Sequence, residues 1–316
     1  MILMNWCWKV PTRYPNIVKK SAISIIGAGR IGRALGRRLR EQGWKIHSVV
    51  TRSQATARRA VRSIGGGRGC SDLAPGVLVA PVILIAVPDS VIEEVTTRLA
   101  SIGSADLQNR TVLHTSGALG SDVLARLQTL GAAVGSIHPL QSFSGMGIPD
   151  LDGRIFVIEG DPGAIRVARA ITRTLGGQPV HLPASSKPLY HAAATISAGH
   201  MLALEETAVR IFTSLGMKRH QALMAVSPLT RQVLENLEHL GARAAWTGPL
   251  ARGDYSVIAM HEDALKALPL EYLQAYRAVS RLAARLLARD PDSVLRELAT
   301  ISSKADSQSK SIGVSA

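Results

Sequence analysis

Cysteine is scarce here: the 316 residues hold two, Cys7 and Cys70. Two cysteines cannot build a disulfide framework, and no CxxC spacing offers a zinc site. That fits a reducing, cytoplasmic setting and predicts no bound metal. Long apolar runs are also missing. The most apolar stretch, Val77 to Val87, is broken by Pro81 and is too short to span a bilayer. Aromatic residues make up only 4% of the chain, and no base-stacking or groove-reading motif accompanies them. The net charge of +14 therefore does not by itself point to nucleic acid. Residues 1–20 lack a charged segment followed by an apolar core, so they do not read as a secretion signal. They read as an irregular extension, with Met4 as an alternative start.

One further absence is local. No acid occurs between Glu41 and Asp72. Residues 1–75 carry fifteen Lys/Arg against two acids, whereas the remainder is nearly balanced, with 22 against 21. The basic excess thus surrounds one stretch, Ile23-Ser-Ile-Ile-Gly27-Ala-Gly29-Arg30-Ile31-Gly32. Its three isoleucines predict a buried strand. Ile31, Leu35 and Leu39 recur at helical spacing after the glycines. A strand, a glycine turn and a helix make a dinucleotide pyrophosphate site. Gly27 allows the turn, Gly29 lets backbone approach the phosphates, and Gly32 lets helix and strand pack closely. The N–H groups at the helix start, at Arg30, Ile31 and Gly32, then attract the phosphates.

The next strand, Trp44 to Val50, ends in Thr51-Arg52-Ser53. An acid at that place would bind a ribose 2′-hydroxyl and repel a 2′-phosphate. Thr51 and Ser53 offer hydroxyls instead, and Arg52 offers a guanidinium whose planar fork matches phosphate. The expected cofactor is NADP(H). Ser53 is also placed to cap the following helix, which is compatible with a phosphate contact.

Strand and helix signals alternate as far as residue 184. Strands are expected at 82–87, 111–114, 133–137, 154–158 and 179–182. Helices are expected at 54–64, 91–100, 122–130 and 162–175, and residues 65–69 read as a loop. The fold class is α/β, with a doubly wound, Rossmann-type parallel sheet followed by an all-helical domain. Residues 21–184 form the cofactor domain. Residues 185–302 form the helical domain, opened by a long alanine-rich helix over 187–215. Ser227-Pro228 reads as the start of another helix. Residues 303–316 read as a disordered tail.

In such a sheet, ligands lie beyond the carboxyl ends of the strands. Val87-Pro88, Ser116 and His138 occupy three of the expected loops there. His138 reads first as a hydrogen-bonded loop residue and second as a proton donor. Lys187 and His191 are four apart at the start of the helical domain and share a face with Tyr190 and Thr195. Reduction of C=O or C=N needs a cation or proton donor where negative charge develops, so Lys187 and His191 are the catalytic candidates. Tyr190, Thr195 and His138 are candidate substrate contacts. Thr247-Gly-Pro-Leu-Ala-Arg252-Gly-Asp254 is a polar loop between helices. Its Arg252 and Asp254 suit a substrate wall, a dimer contact or a mutual ion pair.

Together these blocks resemble a known group, the Rossmann-like proteins with a C-terminal helical domain of unknown function 2520. These are relatives of deazaflavin-dependent NADP reductases, pyrroline-5-carboxylate reductases and 6-phosphogluconate-dehydrogenase-like enzymes. The carriers are Gly27–Gly32, Ala86-Val-Pro-Asp89, His114–Gly117, Gly135–Phe143, Lys187–Ala194 and Thr247–Asp254, and the likeness spans roughly 20–300. It implies an NAD(P)-linked oxidoreductase and a homodimer formed through long helices. Ketopantoate reductases of the same superfamily place a catalytic lysine and an asparagine four residues later at this junction. Lys187 matches the lysine, and His191 stands in place of the asparagine. The implied substrate is a 2-keto acid first and a cyclic imine second. A non-catalytic NADP-binding sensor or scaffold stands as the alternative.

Overall fold

The computed structural model describes residues 21–103 and 107–312, with side chains followed to residue 304. The extension expected over residues 1–20 lies outside the described residues. The chain packs as two compact units that divide at Ala198/Gly199.

The first unit alternates as its sequence periods require. β1 (Ala22–Ile26) leads into α1 (Arg30–Glu41), whose buried face is Gly32, Ala34, Leu35, Gly36 and Leu39. β2 (Lys45–Val50) follows, then α2 (Gln54–Ile64), which Ser53 caps by accepting from Thr56 N. β3 (Arg68–Cys70) is a three-residue edge strand where the glycine-rich sequence suggested only loop. It forms because Ser48–Val50 offers it a partner edge. β4 (Val82–Ile85) and α3 (Asp89–Ile102) come next. After β5 (Thr111–His114), the helix expected over 122–130 is a 3₁₀ turn, Ser121–Leu124, and a short α4 (Ala125–Gln128). β6 (Ala133–Pro139), β7 (Ile155–Gly160), α5 (Pro162–Thr174) and β8 (Gln178–His181) complete the sheet.

The strand order is β3-β2-β1-β4-β5-β6-β7-β8. All neighbours are parallel except β6 and β7. The expected doubly wound, Rossmann-type sheet is thus mostly parallel, with its last two strands running the other way. The reason is in the connection. A parallel return needs a crossover, usually helical, and residues 140–154 contain no helix. Alternate strand residues feed two cores. Ile23, Ile25 and Leu84 join Leu35, Leu39 and Ile171 on one face. Ile26, Ile83 and Ile85 join Ile92, Leu99 and Leu127 on the other. This gives a sheet covered by helices on both faces.

The expected long helix over 187–215 is α6 (Lys187–Thr195), a π-helical turn at Ile196–His200, and α7 (Met201–Ser214). The compact division falls within that π turn, later than the expected 184/185, because α6 packs with the first unit. In the second unit, α8 (Arg219–Leu240) begins well before the expected Ser227-Pro228 start and carries Pro228 in its interior. It packs on α7 through Val209, Ala222 and Val226. Two short helices follow, α9 (Ala242–Ala245) and α10 (Pro249–Arg252). Then come α11 (Tyr255–Leu265), α12 (Leu270–Leu287) and α13 (Pro291–Ile312). Ile258, Ala284 and Leu298 form their core. The disorder expected from residue 303 is corrected as far as Ile312, since α13 continues to that point.

Candidate active site

The glycine turn joins β1 to α1 under tight contact. Gly27 has φ +88°, and a Cβ there would lie 2.5 Å from Ala86 O and 2.7 Å from Val87 Cγ1. A Cβ on Gly32 would overlap Gly27 O. Gly29 differs: a Cβ there would meet nothing within 4 Å. No side chain caps α1 at Gly29, so the helix start presents bare N–H groups and a positive dipole end to open space. Ile31 turns its side chain into the core, and its backbone belongs to that first turn. Arg30 reaches Phe143 O at 3.5 Å. These features fit a pyrophosphate.

Beside the turn, Thr51 Oγ1 donates to Ser53 O at 3.0 Å, and Ser53 Oγ donates to Thr56 Oγ1 at 2.9 Å. Both hydroxyls are thus committed to shaping the start of α2. Arg52 is exposed and, among the described residues, makes no ion pair. Its guanidinium is open to an anionic ligand. Val87 and Pro88 follow β4 and flank Gly27 and α3.

A polar cluster lies beyond β5 and β6. Lys187, the first residue of α6, is fully buried. Its Nζ donates to Ser116 O at 2.8 Å and to Ser136 Oγ at 2.6 Å. Burial pulls its pKa down to about 8, against the opposing pull of Glu159, Asp89 and Asp122. Lys187 remains largely cationic at neutral pH. Ser116 Oγ donates to Asp89 Oδ2 at 2.8 Å and accepts from Ala118 N and Leu119 N, which fixes the turn after β5. His114 accepts from Ser116 N through Nδ1 and so donates through Nε2 to Gly120 O at 3.0 Å. Burial, aided by Lys187, pushes it down to about 3, and it stays neutral.

His138 Nδ1 bonds Tyr190 Oη at 2.7 Å. His138 is pushed down to about 4 by burial and by the neighbouring His191 and Lys187. Burial raises Tyr190 to about 12. The rings of His138 and His191 meet edge to face at 5.7 Å. Among the described residues, buried His191 Nδ1 has no hydrogen-bond partner. Gly117 lies directly against both imidazoles, so a side chain there would collide with His138 Nε2 and His191 Nδ1. An unpaired acceptor or donor, a protonated phenol and a buried cation are thus gathered around one backbone turn.

The structure brings Ser116, His138, Lys187, Tyr190 and His191 together. Thr195 points its hydroxyl back to His191 O at 2.9 Å, which occupies its donor. Arg252 and Asp254 belong to the second unit and bond each other at 2.9 Å. Two members of the cluster were not singled out from the sequence. Ser136 lies inside a buried strand, and Glu159 is the penultimate residue of the apolar β7. Each reads locally as incidental. The available signal is that a polar residue on a two-sided buried strand must find a partner.

Residues 13–139 match the model of a Rossmann-like domain, and residues 154–283 match that of the domain of unknown function DUF2520. A search of curated proteins finds no match. Among solved structures, protein TM1727 from Thermotoga maritima is 26% identical, with a TM-score of 0.62 over 82% of this chain and 96% of that one. A putative NADP oxidoreductase, BF3122 from Bacteroides fragilis, is 22% identical, with a TM-score of 0.68 over 83% and 97%. A reductive aminase from Aspergillus terreus, solved with NADPH and ethyl-5-oxohexanoate, is 17% identical, with a TM-score of 0.65 over 88% and 99%. The last two share the fold.

Proposed function

Since this chain joins a Rossmann-like domain to the domain of unknown function DUF2520, we propose that it is an NADP(H)-dependent oxidoreductase acting on a C=O or C=N of a small molecule. The observation that carries the reading is the Gly27–Gly32 turn. It offers an uncapped helix start with open space at Gly29, in the same compact unit as a buried lysine that bonds Ser116 and Ser136. Gly29, Arg30, Ile31 and Gly32 would hold the pyrophosphate and Arg52 the 2′-phosphate. Bound NADPH supplies a hydride. The protein's share is to stabilise the charge that the transfer leaves. Lys187 has three N–H groups and spends two on Ser116 and Ser136. Its charge is unscreened by water, which makes it effective against a forming alkoxide or amide anion. Tyr190 is protonated throughout the neutral range and bonds His138 Nδ1; in the His138 tautomer that donates through Nδ1, the phenol proton is left to donate to the substrate.

A 2-keto acid is the first substrate class, because a buried lysine suits an oxyanion. A cyclic imine is the second, since one of the like-folded chains is named a reductive aminase and another an imine reductase. We further propose that the protein pairs with a second copy. α8 leaves Leu229, Val233, Leu237 and Leu240 exposed along one stripe, and such a patch commonly marks an interface.

The test is a fluorescence titration with NADPH and NADH, on the native chain and on Arg52→Asp, followed by turnover of 2-keto acids and cyclic imines. Tighter NADPH binding is expected, with the preference lost in Arg52→Asp. Lys187→Ala is expected to lose turnover while still binding cofactor. Preference for NADH in the native chain would overturn the cofactor reading. Binding without turnover of any compound would favour the sensor.

A further inference from the structure

Glu159, the penultimate residue of β7, is buried, with 5% of its surface exposed. It accepts from Ser121 N at 3.1 Å, from Ser121 Oγ, and from Ser136 Oγ at 3.0 Å. Ser136 Oγ in turn accepts from Lys187 Nζ at 2.6 Å. The hydroxyl has one proton and lone pairs to receive another, so its two bonds are used in one direction, from ammonium through hydroxyl to carboxylate. The ammonium and the carboxyl group, separated by a single hydroxyl, are both buried, and each end depends on the other. A buried ammonium without a nearby anion sheds its proton.

We propose that Glu159 is a positioning residue for the reaction. Through Ser136 it fixes the Lys187 ammonium against the Ser116–Gly117 turn and keeps it cationic, while never touching substrate. This rests on the reading of Lys187 as the charge-stabilising group. The charged and titratable groups around Lys187 are Asp89 on α3, His114 on β5, Asp122 in the 3₁₀ turn, His138 on β6, Glu159 on β7, and Tyr190 and His191 on its own helix. His114 and His138 are neutral and repel the ammonium when protonated. Asp89 is engaged with Ser116, and Asp122 sits in a separate turn. Glu159 is the anion linked to Lys187 through a shared hydroxyl, and it is the largest cause opposing the loss of the lysine's proton.

The experiment follows the side-chain nitrogen of Lys187 by NMR across pH in the full chain, with its signal identified by its loss in Lys187→Met. The native midpoint is expected near 8. In Glu159→Gln it is expected to fall by about one pH unit or more. Glu159→Asp keeps the charge and is expected to restore most of the shift. A role confined to packing would leave the midpoint where it was, so an unmoved midpoint in folded Glu159→Gln overturns the proposal. If Glu159→Gln does not fold, Ser136→Ala supplies the same reading, because it cuts the link and leaves both charges. An unmoved midpoint there overturns the proposal equally. For any substrate that the native chain reduces, Glu159→Gln is expected to lower kcat and move the alkaline limb to lower pH, with NADPH affinity unchanged. Failure of NADPH to bind the native chain would sink the functional reading while leaving the titration result to stand.

Discussion

Two glycines three residues apart, Gly29 in the first loop and Gly32 in the first turn of α1, should fail in different ways when given a methyl group. Gly29 is exposed, has φ −68°, and a Cβ there would meet nothing within 4 Å. Gly29→Ala is therefore expected to cost less than about 1 kcal/mol of stability, the difference between glycine and alanine at a helix N-cap. On the proposed reading that open space admits the phosphates, so NADPH affinity is expected to fall at least about tenfold, or ~1.4 kcal/mol. Gly32 is the opposite case. Its Cβ would press on the carbonyl oxygen of Gly27, and backbone cannot rotate away. Overpacking of this kind costs about 3 kcal/mol, which lowers Tm by roughly 6–12 °C in a domain of this size. Calorimetry and NADPH titration on both variants separate the effects. If Gly29→Ala bound NADPH as tightly as the native chain, the loop would not be the phosphate site. If Gly32→Ala melted with the native chain, the close packing of α1 on the turn would be wrong.

Two other expectations concern the lysine and the exposed stripe. Folding lowers the Lys187 pKa from 10.5 to about 8, so between those values the unfolded chain binds the extra proton. Stability should rise by about 3 kcal/mol from pH 8 to 10.5. The rise should be missing from Lys187→Met in chemical denaturation, and equal slopes in the two proteins would contradict the buried cation. On α8, Val233→Asp should halve the mass seen in sedimentation if the stripe pairs with a second copy. An unchanged mass would assign those residues to another role.

The elements legible in the sequence are those set by local period. β1, α1 and β2 follow from the isoleucines, the glycines and the 3.6-residue spacing of Leu35 and Leu39. Lys187, Tyr190 and His191 were legible as one group because a helix places residues three and four apart on one face. The polar network beneath them was not. Ser136 and Glu159 are 23 residues apart, and nothing local tells which acid a buried serine will meet. Pro228 misled for a different reason: a proline usually begins a helix, yet here tertiary packing of Ala222 and Val226 on α7 carries α8 through it.

The direction of β7 decides where the charge under the lysine comes from. Because β7 runs against β6, Glu159 at its far end is the residue opposite Ser136. Had residues 140–154 formed a crossover helix, the beginning of β7 would lie nearer that level, and it is apolar: Ile155 and Phe156. Chain direction thus works as wiring. A helix-free loop of ordinary composition, remote in sequence from every candidate catalytic group, determines that the buried ammonium faces a carboxylate and not a hydrocarbon. Lengthening or rebuilding that loop while preserving each residue of the cluster would still rewire the site, if it reversed the strand.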